Sequence, residues 1–480
     1  MSLAQILFFS AAALLLGLVP YRKVKQWGMF LFSLAALYIL QPAIPIRTMN
    51  FWLPTASLAL AILGWAATLP SGKPWRRFKR EDGLTLAFIF LLVISAPALQ
   101  SWGYSLPGSS MHFPPLEHVA LAMGALGLVV IMIWVLGLSA RLAMWLGFFF
   151  ICGLVMLFFM LKTDEFSALI SAWLRYFHHQ DPALASSTEL RWLGFSYLSF
   201  RLIHTLRERA KGNLATLSLQ EYFTYMLFFP AITAGPIDRV ERFDKDWQQL
   251  QPLDVQRCYS AGQRLLWGMV KKFVVADSLG LIALNQQNAQ QVGLSGWLWV
   301  LTYCYAFQLY FDFSGYTDIA IGMAEFLGIH LPENFRRPYL QSNISTFWNC
   351  WHISLTQWFR AYVFNPLARS LRKHQFVPEW LAILICQSAT MLLIGLWHGV
   401  SGNYLMWGLW HAFGLFIHNR WAAITRPLSL WSNASPFWQK VGNGVGMFLT
   451  FNYVALGWVW FSLPSVSVAW HTLQKMFLWG

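Results

Sequence analysis

Residues 3–20 read LAQILFFSAAALLLGLVP, and Arg22, Lys23 and Lys25 follow almost directly after them. The stretch is apolar and close to the length of about 20 residues that a helix needs to cross a bilayer. A secretory signal peptide has its positive charges before the apolar part, whereas this stretch has them after it. We therefore expect an uncleaved membrane span whose N-terminus lies outside the cytoplasm.

Comparable apolar stretches recur through the N-terminal part of the chain, residues 1–161. They occupy residues 28–45, 49–69, 84–100, 118–138 and 142–161. Each has roughly the length of a spanning helix, so the sequence predicts six N-terminal transmembrane helices.

The loops between these stretches alternate in charge. Basic residues follow the third stretch and precede the sixth, and they are Lys73, Arg76, Arg77, Lys79, Arg80 and Arg141. Residues 101–117, which lie between them, contain no Lys or Arg. Because short cytoplasmic loops are enriched in Lys and Arg, this alternation supports both the six spans and their orientation.

The composition of the whole chain is also that of a membrane protein. Of the 480 residues, 57% are hydrophobic and only 11% are charged, whereas a soluble domain has about 25% charged residues. The sequence therefore predicts an all-α, polytopic integral membrane protein that lies in a lipid bilayer. The net charge of +14 falls largely in short loops, and no nucleic-acid-binding motif is present, so we expect no nucleic-acid partner.

The second half is less regular. Apolar helices are expected over 293–312, 316–329, 378–398, 403–420 and 442–462, whereas 330–376 is too polar to span and is expected to be re-entrant or interfacial. Residues 191–211 contain Arg201, His204 and Glu208 at helical spacing, for which we expect a tilted helix with a solvated basic edge.

Two histidines stand out in aromatic, membrane-like sequence. His352 lies in FWNCWHIS at 347–354, and His398 ends an apolar run in GLWHG at 395–399. Imidazole is the side chain best suited to move protons near neutral pH, and ionisable groups at membrane depth are costly. Both are therefore candidate catalytic residues, whereas His411 and His418 on the next helix are expected to be structural.

Asp312 and Asp318 are candidate supporting residues between two apolar runs. They either pair with basic side chains or fix the tautomer of a histidine, and Gly315 between them either breaks or closely packs the helix. A basic group surrounds His352, and its members are Arg336, Arg337, Arg360, Arg369, Arg372 and Lys373. This group either binds the phosphates of a donor such as coenzyme A or anchors the chain at the cytoplasmic surface.

The five cysteines are scattered and contain no CxxC pair, so neither a disulfide framework nor a zinc site is expected. Cys350 is an alternative nucleophile, although nothing in the sequence marks an activated thiolate there. The histidines lack close ligand spacing, and we expect no bound metal or cofactor.

Short motifs in the second half carry a resemblance. They are FFPAITAGPIDR at 228–239, GMVKKFVVAD at 268–277, DFSGYTDIA at 312–320, LPENF at 331–335, WHISL at 351–355, GLWHG at 395–399 and GWVWF at 457–461. In this order they resemble the membrane-bound O-acyltransferase family, in particular its bacterial branch of alginate O-acetyltransferases and teichoic-acid D-alanyl transfer proteins. The resemblance covers residues 190–462, which we take as the acyltransferase core.

The resemblance implies one ring-like bundle of about 11–13 transmembrane or re-entrant helices around a tunnel, with no soluble domain, in a bacterial inner membrane. It implies that His398 and His352 are the two important histidines. We expect them to be supported by Asp312, Asp318, Asn349, Trp351, Trp397, Arg336 and Arg360. The chain departs from the branch at Asn349-Cys350, at Arg360-Ala361-Tyr362 and at 365–369.

The expected reaction is O-acyl transfer. A cytoplasmic thioester, acetyl-coenzyme A or an acyl carrier protein, donates an acyl group, by resemblance acetyl, to a hydroxyl of a cell-surface polysaccharide. His398 acts as general base, and His352 orients the donor or stabilises the oxyanion with Asn349. The alternatives are a carrier that hands the acyl group to an extracytoplasmic transferase partner, a polytopic transporter, or a purely structural scaffold.

Overall fold

The computed structural model describes residues 1–69, 79–102, 112–136, 140–373, 376–425 and 435–477. These ranges form helices and irregular segments and contain no strand, which confirms the all-α prediction. Within them, six helices are long and apolar enough to cross a membrane, namely Met49–Thr68, Arg80–Ser101, Leu116–Ile133, Met144–Lys162, Glu379–His398 and Pro436–Ser462. The chain is therefore a multi-pass integral membrane protein. The ring-like bundle, its tunnel and the total of 11–13 helices stay predictions.

The predicted charge alternation cannot be followed through every loop. Lys73, Arg76, Arg77 and residues 103–111 of the uncharged loop lie outside the described residues. The orientation of the chain stays a prediction.

The chain divides into two compact units. The first comprises Met1–Gln263 and Ala320–Leu331, and the second comprises Arg264–Ile319 and Pro332–Gly480. The predicted organisation into N-terminal helices at 1–161 and an acyltransferase core at 190–462 stays a prediction.

Each of the six predicted N-terminal stretches overlaps one helix, and four of these six helices, the third to the sixth, are candidate spans. These helices are α1 (Leu3–Leu18), α2 (Arg22–Ile39), α3 (Met49–Thr68), α4 (Arg80–Ser101), α5 (Leu116–Leu136) and α6 (Ala140–Lys162). The next helices are α7 (Asp164–Phe177), α8 (Phe195–Ala210), α9 (Leu219–Met226), α10 (Val240–Gln248) and α11 (Val255–Met269). α1 has 16 residues and is shorter than a standard span.

The expected solvated basic edge of α8 is wrong for Arg201 and His204, whereas Arg207 on the same helix is exposed. Arg201 is only 2% exposed, and its guanidinium donates to the carbonyl oxygens of Met226 and Ala231 at 2.8 and 3.4 Å. His204 is equally buried and accepts the backbone N–H of Val240 at 3.2 Å. The irregular chain between α9 and α10 leaves backbone groups without helical partners, and these two side chains satisfy some of them.

The second unit contains the remaining helices, except that the end of one long helix, residues 320–327, belongs to the first unit. A π-helical stretch, Val270–Ala276, leads from α11 to α12 (Asp277–Gly280), and another, Arg360–Phe364, separates two later helices. The others are α13 (Gln286–Gln291), α14 (Ser295–Leu327), α15 (Ile344–Cys350), α16 (Ile353–Phe359), α17 (Asn365–Leu371), α18 (Glu379–His398), α19 (Gly402–Thr425), α20 (Pro436–Ser462) and α21 (Val466–Phe477).

Gly315 does not break α14, which runs without interruption where two stretches were predicted. Instead, the glycine allows close packing: a Cβ atom at Gly315 would lie 2.7 Å from the carbonyl oxygen of Gly268 in α11. A Cβ atom at Gly268 would meet the carbonyl oxygen of Gly315 at the same distance. The two glycines therefore let the backbones of α11 and α14 approach each other closely.

The polar segment that was expected not to span consists of short helices. α15, α16 and α17 have seven residues each, so each is about 10 Å long at 1.5 Å per residue. Helices of this length cannot cross a hydrocarbon layer of about 30 Å. Residues 374–375 of this segment lie outside the described residues.

Candidate functional site

His352 lies at the start of α16 in an unusual backbone conformation. It is the N-cap residue and has φ 42° and ψ 54°, in the left-handed region. Regular helix begins only at the next residue, Ile353, so His352 itself lies outside α16. A left-handed residue other than glycine persists only where surrounding contacts hold it.

Asn334 supplies several of these contacts. Its backbone oxygen accepts the N–H of Ile353 at 3.0 Å, and its side-chain oxygen accepts the N–H and the hydroxyl of Ser354 at 3.2 and 2.6 Å. The N–H of Arg336 donates to the carbonyl oxygen of Cys350 at 3.0 Å. Cys350 before His352 and Ile353 and Ser354 after it are thus tied to Asn334 and Arg336, which stabilises the backbone that carries the imidazole.

The His352 side chain is enclosed by rings. Only 2% of the residue is exposed, the ring of Phe313 lies 4.6 Å away edge to face, and that of Trp397 lies 6.1 Å away. Neither ring nitrogen has a hydrogen-bond partner among the described residues. Burial, and next the proximity of His398, hold the pKa of His352 well below its usual value of 6.5, so the imidazole is neutral at physiological pH.

His398 is the last residue of α18 and is half-buried. Its ring centroid lies 4.9 Å from that of Phe461, 5.6 Å from that of Trp407 and 6.1 Å from that of Tyr404. The helix ends here because Gly399 is fully extended, with φ −179°. A histidine at a helix end can present a ring nitrogen to a ligand without interrupting a helical hydrogen bond.

Small residues bring α18 and α19 together beside His398. A Cβ atom at Gly408 would lie 2.7 Å from the carbonyl oxygen of Met391. Cβ atoms at Gly395 and Gly399 would collide with the backbone and the ring of Tyr404, respectively. The glycines of the GLWHG motif therefore set the distance between His398 and the Tyr404 ring that stacks on it.

Trp397 contacts both candidate histidines. Its ring centroid lies 4.6 Å from that of His398 and 6.1 Å from that of His352. Trp351 is buried next to His352 and packs on Trp458 and Phe347 at 5.1 and 5.7 Å. The structure therefore places four of the predicted site residues, two histidines and two tryptophans, in one aromatic region of the second unit.

Asp312 and Asp318 form ion pairs across the crossing of α11 and α14. Asp318 accepts from Lys271 at 2.6 Å and from Arg264 at 3.1 Å, and Asp312 pairs with Lys272. Arg264 also reaches Glu333 at 2.6 Å. These contacts correspond to the first of the two roles considered, pairing with basic side chains.

Arg336, Asn349 and Arg360 are exposed. Arg360 donates to the side-chain oxygen of Asn349 at 2.7 Å, and no carboxylate pairs with Arg336 or Arg360 among the described residues. Burial raises the pKa of the Cys350 thiol, so the alternative of an activated thiolate gains no support. The exposed Arg336 and Arg360 side chains can bind an anionic ligand.

Asn334, Tyr404 and Phe461 were not among the predicted site residues. Asn334 had a signal, because it lies in a quoted motif, but its role depends on a backbone pairing that the sequence does not reveal. His411, expected to be structural, is fully buried among Trp348, Trp407 and Trp458. Within the described ranges, no three His, Cys, Asp or Glu side chains are placed to hold a metal ion.

Comparison with known proteins relates the chain to one family. The family model described as "MBOAT, membrane-bound O-acyltransferase family" matches residues 147–459. A teichoic acid D-alanyltransferase of Streptococcus thermophilus is 33% identical over 287 residues, which are 57% of this chain and 68% of that protein. A probable alginate O-acetylase AlgI of Pseudomonas aeruginosa is 35% identical over 293 residues, or 60% of this chain and 52% of that protein. The match thus spans about half the length of the alginate relative.

Proposed function

Because this chain belongs to the membrane-bound O-acyltransferase family, we propose that it transfers an acyl group from a thioester to a hydroxyl of a cell-surface polysaccharide. The acyl group is acetyl in this proposal, since one related group of proteins is named for O-acetylation of alginate. The donor is acetyl-coenzyme A or an acyl carrier protein thioester on the cytoplasmic side. The N-terminus lies outside the cytoplasm.

The observation that carries this proposal is the contact of Trp397 with both imidazoles. The rings of two histidines that are 46 positions apart in sequence thus both lie near one indole ring. Of the two, His398 is the more accessible and stands at a helix end. It is therefore the better candidate for the group that contacts the acceptor.

In the proposed reaction, a ring nitrogen of His398 takes the proton of the acceptor hydroxyl. The hydroxyl oxygen attacks the thioester carbonyl, a C–O bond forms and the C–S bond breaks. The thiolate leaves and takes the proton back from the imidazolium, so the histidine returns to its neutral state. General-base assistance of this kind gives about 10²–10⁴-fold in rate.

His352 acts in the proposal through its neutral ring. A neutral imidazole has one N–H donor and one acceptor nitrogen, and neither has a partner among the described residues. An N–H held in place by the Asn334 contacts can donate to the thioester oxygen, where negative charge develops in the transition state. Its low pKa keeps the donor from becoming a second positive charge.

Arg336 and Arg360 are proposed to bind the donor. Both are exposed and lack a carboxylate partner in the described part of the chain, as an arginine that binds phosphate requires. Asn349 adjoins Arg360 and stands where the chain departs from the branch, so we propose that it adjusts this region to the donor of this protein.

The test is transfer of a labelled acetyl group from acetyl-coenzyme A to base-labile esters in the polysaccharide fraction of membranes that contain the protein. Label in the polysaccharide that depends on His398 supports the proposal. If label reaches polysaccharide only after a second membrane protein is added, the chain is a carrier component. Acyl movement without thioester consumption would instead indicate a transporter.

A further inference from the structure

A cavity of about 380 Å³ lies in the first unit, away from the residues assigned to acyl transfer. It is formed where α6 ends and where residues 190–196 lead into α8. The described residues that line it are mostly apolar, with Ser196 and the two cations Lys162 and Arg191, and none of them is acidic.

The two parts of the cavity have different chemistry. Phe158 and Leu161 of α6 and Leu190 and Phe195 opposite them supply apolar surface. Lys162 and Arg191 are exposed, and neither forms an ion pair with a described carboxylate. Arg191 uses its Nε to donate to the carbonyl oxygen of Thr188 at 3.2 Å, which holds the guanidinium at the cavity.

The position of the cavity along the chain places it at a membrane boundary. Lys162 is the last residue of α6, whose final 19 residues form one of the candidate spans. Lys and Arg at the end of a span extend their charged groups towards the lipid headgroups. The cavity changes from an apolar wall to cationic groups, in the same order as a phospholipid changes from acyl chain to headgroup.

α7, which begins two residues after α6, has its polar face inside and its apolar face outside. Ser167, Ser171 and Arg175 are buried, and Ser171 and Arg175 bind Glu189. The outward face is aromatic and apolar, and Phe166, Leu169, Trp173, Tyr176 and Phe177 are each more than half exposed. A helix with this outward face is stable when it lies on a lipid surface, where Trp and Tyr are enriched.

We propose that the cavity binds one phospholipid, with its phosphodiester between Lys162 and Arg191 and an acyl chain along Phe158 and Leu161. The apolar wall favours an amphiphile over a soluble anionic sugar or free phosphate, because neither of these would cover it. The occupant belongs to the leaflet on which α7 lies. The site is independent of the acyl-transfer proposal.

The experiment uses the full chain in vesicles that contain phosphatidylglycerol with a photoreactive acyl chain. After illumination, labelled peptides are mapped in the wild type, in Lys162→Ala/Arg191→Ala, and in the control Lys475→Ala, which removes an exposed lysine of α21. We expect label in the peptides that contain 158–162 and 190–196. Each cation near a membrane surface contributes about fivefold in binding, so the double variant should lose about 25-fold.

Three results would overturn the proposal. The first is equal labelling of these peptides in the wild type and the double variant, with both proteins intact by size-exclusion chromatography. The second is displacement of the label by millimolar inorganic phosphate, which would reveal a site for a free anion. The third is displacement by a soluble anionic oligosaccharide, which would assign the cavity to a polymer.

Discussion

Replacing Asn334 by alanine tests how the structure holds His352. The substitution removes an acceptor for two donors of Ser354, the N–H at 3.2 Å and the hydroxyl at 2.6 Å. Both of these hydrogen bonds of the buried Ser354 are lost, and together this costs about 1–3 kcal/mol. The left-handed backbone of His352 also loses support, which is worth about 1 kcal/mol or more. We therefore expect a loss of about 2–4 kcal/mol in unfolding free energy.

Asn343 is a matched control. It caps the neighbouring helix α15 by accepting the N–H of Thr346 at 2.9 Å, and it does not contact His352 in any described interaction. Its replacement by alanine should cost about 1 kcal/mol, the usual value for an N-cap. Thermal unfolding in detergent, followed with a thiol-reactive dye that reports exposure of the buried Cys386, should show at least twice the decrease in Tm for Asn334→Ala.

Activity provides the second readout, because a merely destabilised protein keeps its site at low temperature. Displacing a catalytic group by about 1 Å can reduce the rate about 100-fold. Well below both Tm values, Asn334→Ala should lose at least about tenfold in kcat, whereas Asn343→Ala keeps the wild-type rate. Equal stability losses in the two variants, together with full activity of Asn334→Ala, would refute this account of His352.

Three further predictions concern stability. His352 is protonated in the unfolded chain below pH about 6.5 but stays neutral in the folded state, so the free energy of unfolding falls as the pH drops below that value. Between pH 6.5 and 5, Tm should therefore fall less steeply in His352→Asn than in the wild type. Parallel pH profiles of Tm would contradict a buried neutral imidazole. Burial, and next a hydrogen bond with Asp244, raise the pKa of Glu221 to about 9, so the contribution of this carboxyl group to folding stability is fully present below pH about 4.5 and is lost as the pH rises towards 9. Glu221→Gln should therefore raise Tm relative to the wild type at pH 8 but not at pH 4, by an amount worth at least about 1 kcal/mol. An equal effect at both pH values would rule this out. Gly315→Ala places a Cβ atom 2.7 Å from the Gly268 carbonyl oxygen and should cost about 1–3 kcal/mol of unfolding free energy. The control Gly296→Ala, at an open position of the same helix, should be neutral or stabilising in the same Tm measurement. Equal Tm values for the two variants would show that α11 and α14 are not tightly packed at Gly315.

The sequence predicted most of the helices because membrane spans leave a strong signal in hydropathy and loop charge. The first and last residues of α3 to α6, α18 and α20 lie within about seven residues of those of the predicted stretches, because the thickness of the bilayer sets the length of a span. The continuity of α14 through Gly315 was missed, because a glycine that breaks a helix and one that packs against another helix look alike until the partner, here Gly268, is known.

The site was predictable where residue chemistry determines it and not where backbone geometry does. Histidine in apolar sequence identifies His398 and His352 without a fold. The left-handed conformation of His352 and the hydrogen bonds between Ser354 and Asn334 depend on pairing between two irregular segments, which follow no periodic pattern. The burial of Arg201 was missed for the same reason, because its partners are carbonyl oxygens at the end of α9 and in the chain that follows it.

The central claim is that His398 serves as the base in acyl transfer from a thioester. The most direct measurement is thiol release from acetyl-coenzyme A by the purified protein supplied with a membrane extract as the source of acceptor. His471→Ala, which removes an exposed histidine of α21, is the control. We expect release by the wild type and by His471→Ala, and a loss of at least about 100-fold in His398→Ala. Full release by a folded His398→Ala protein would contradict the claim.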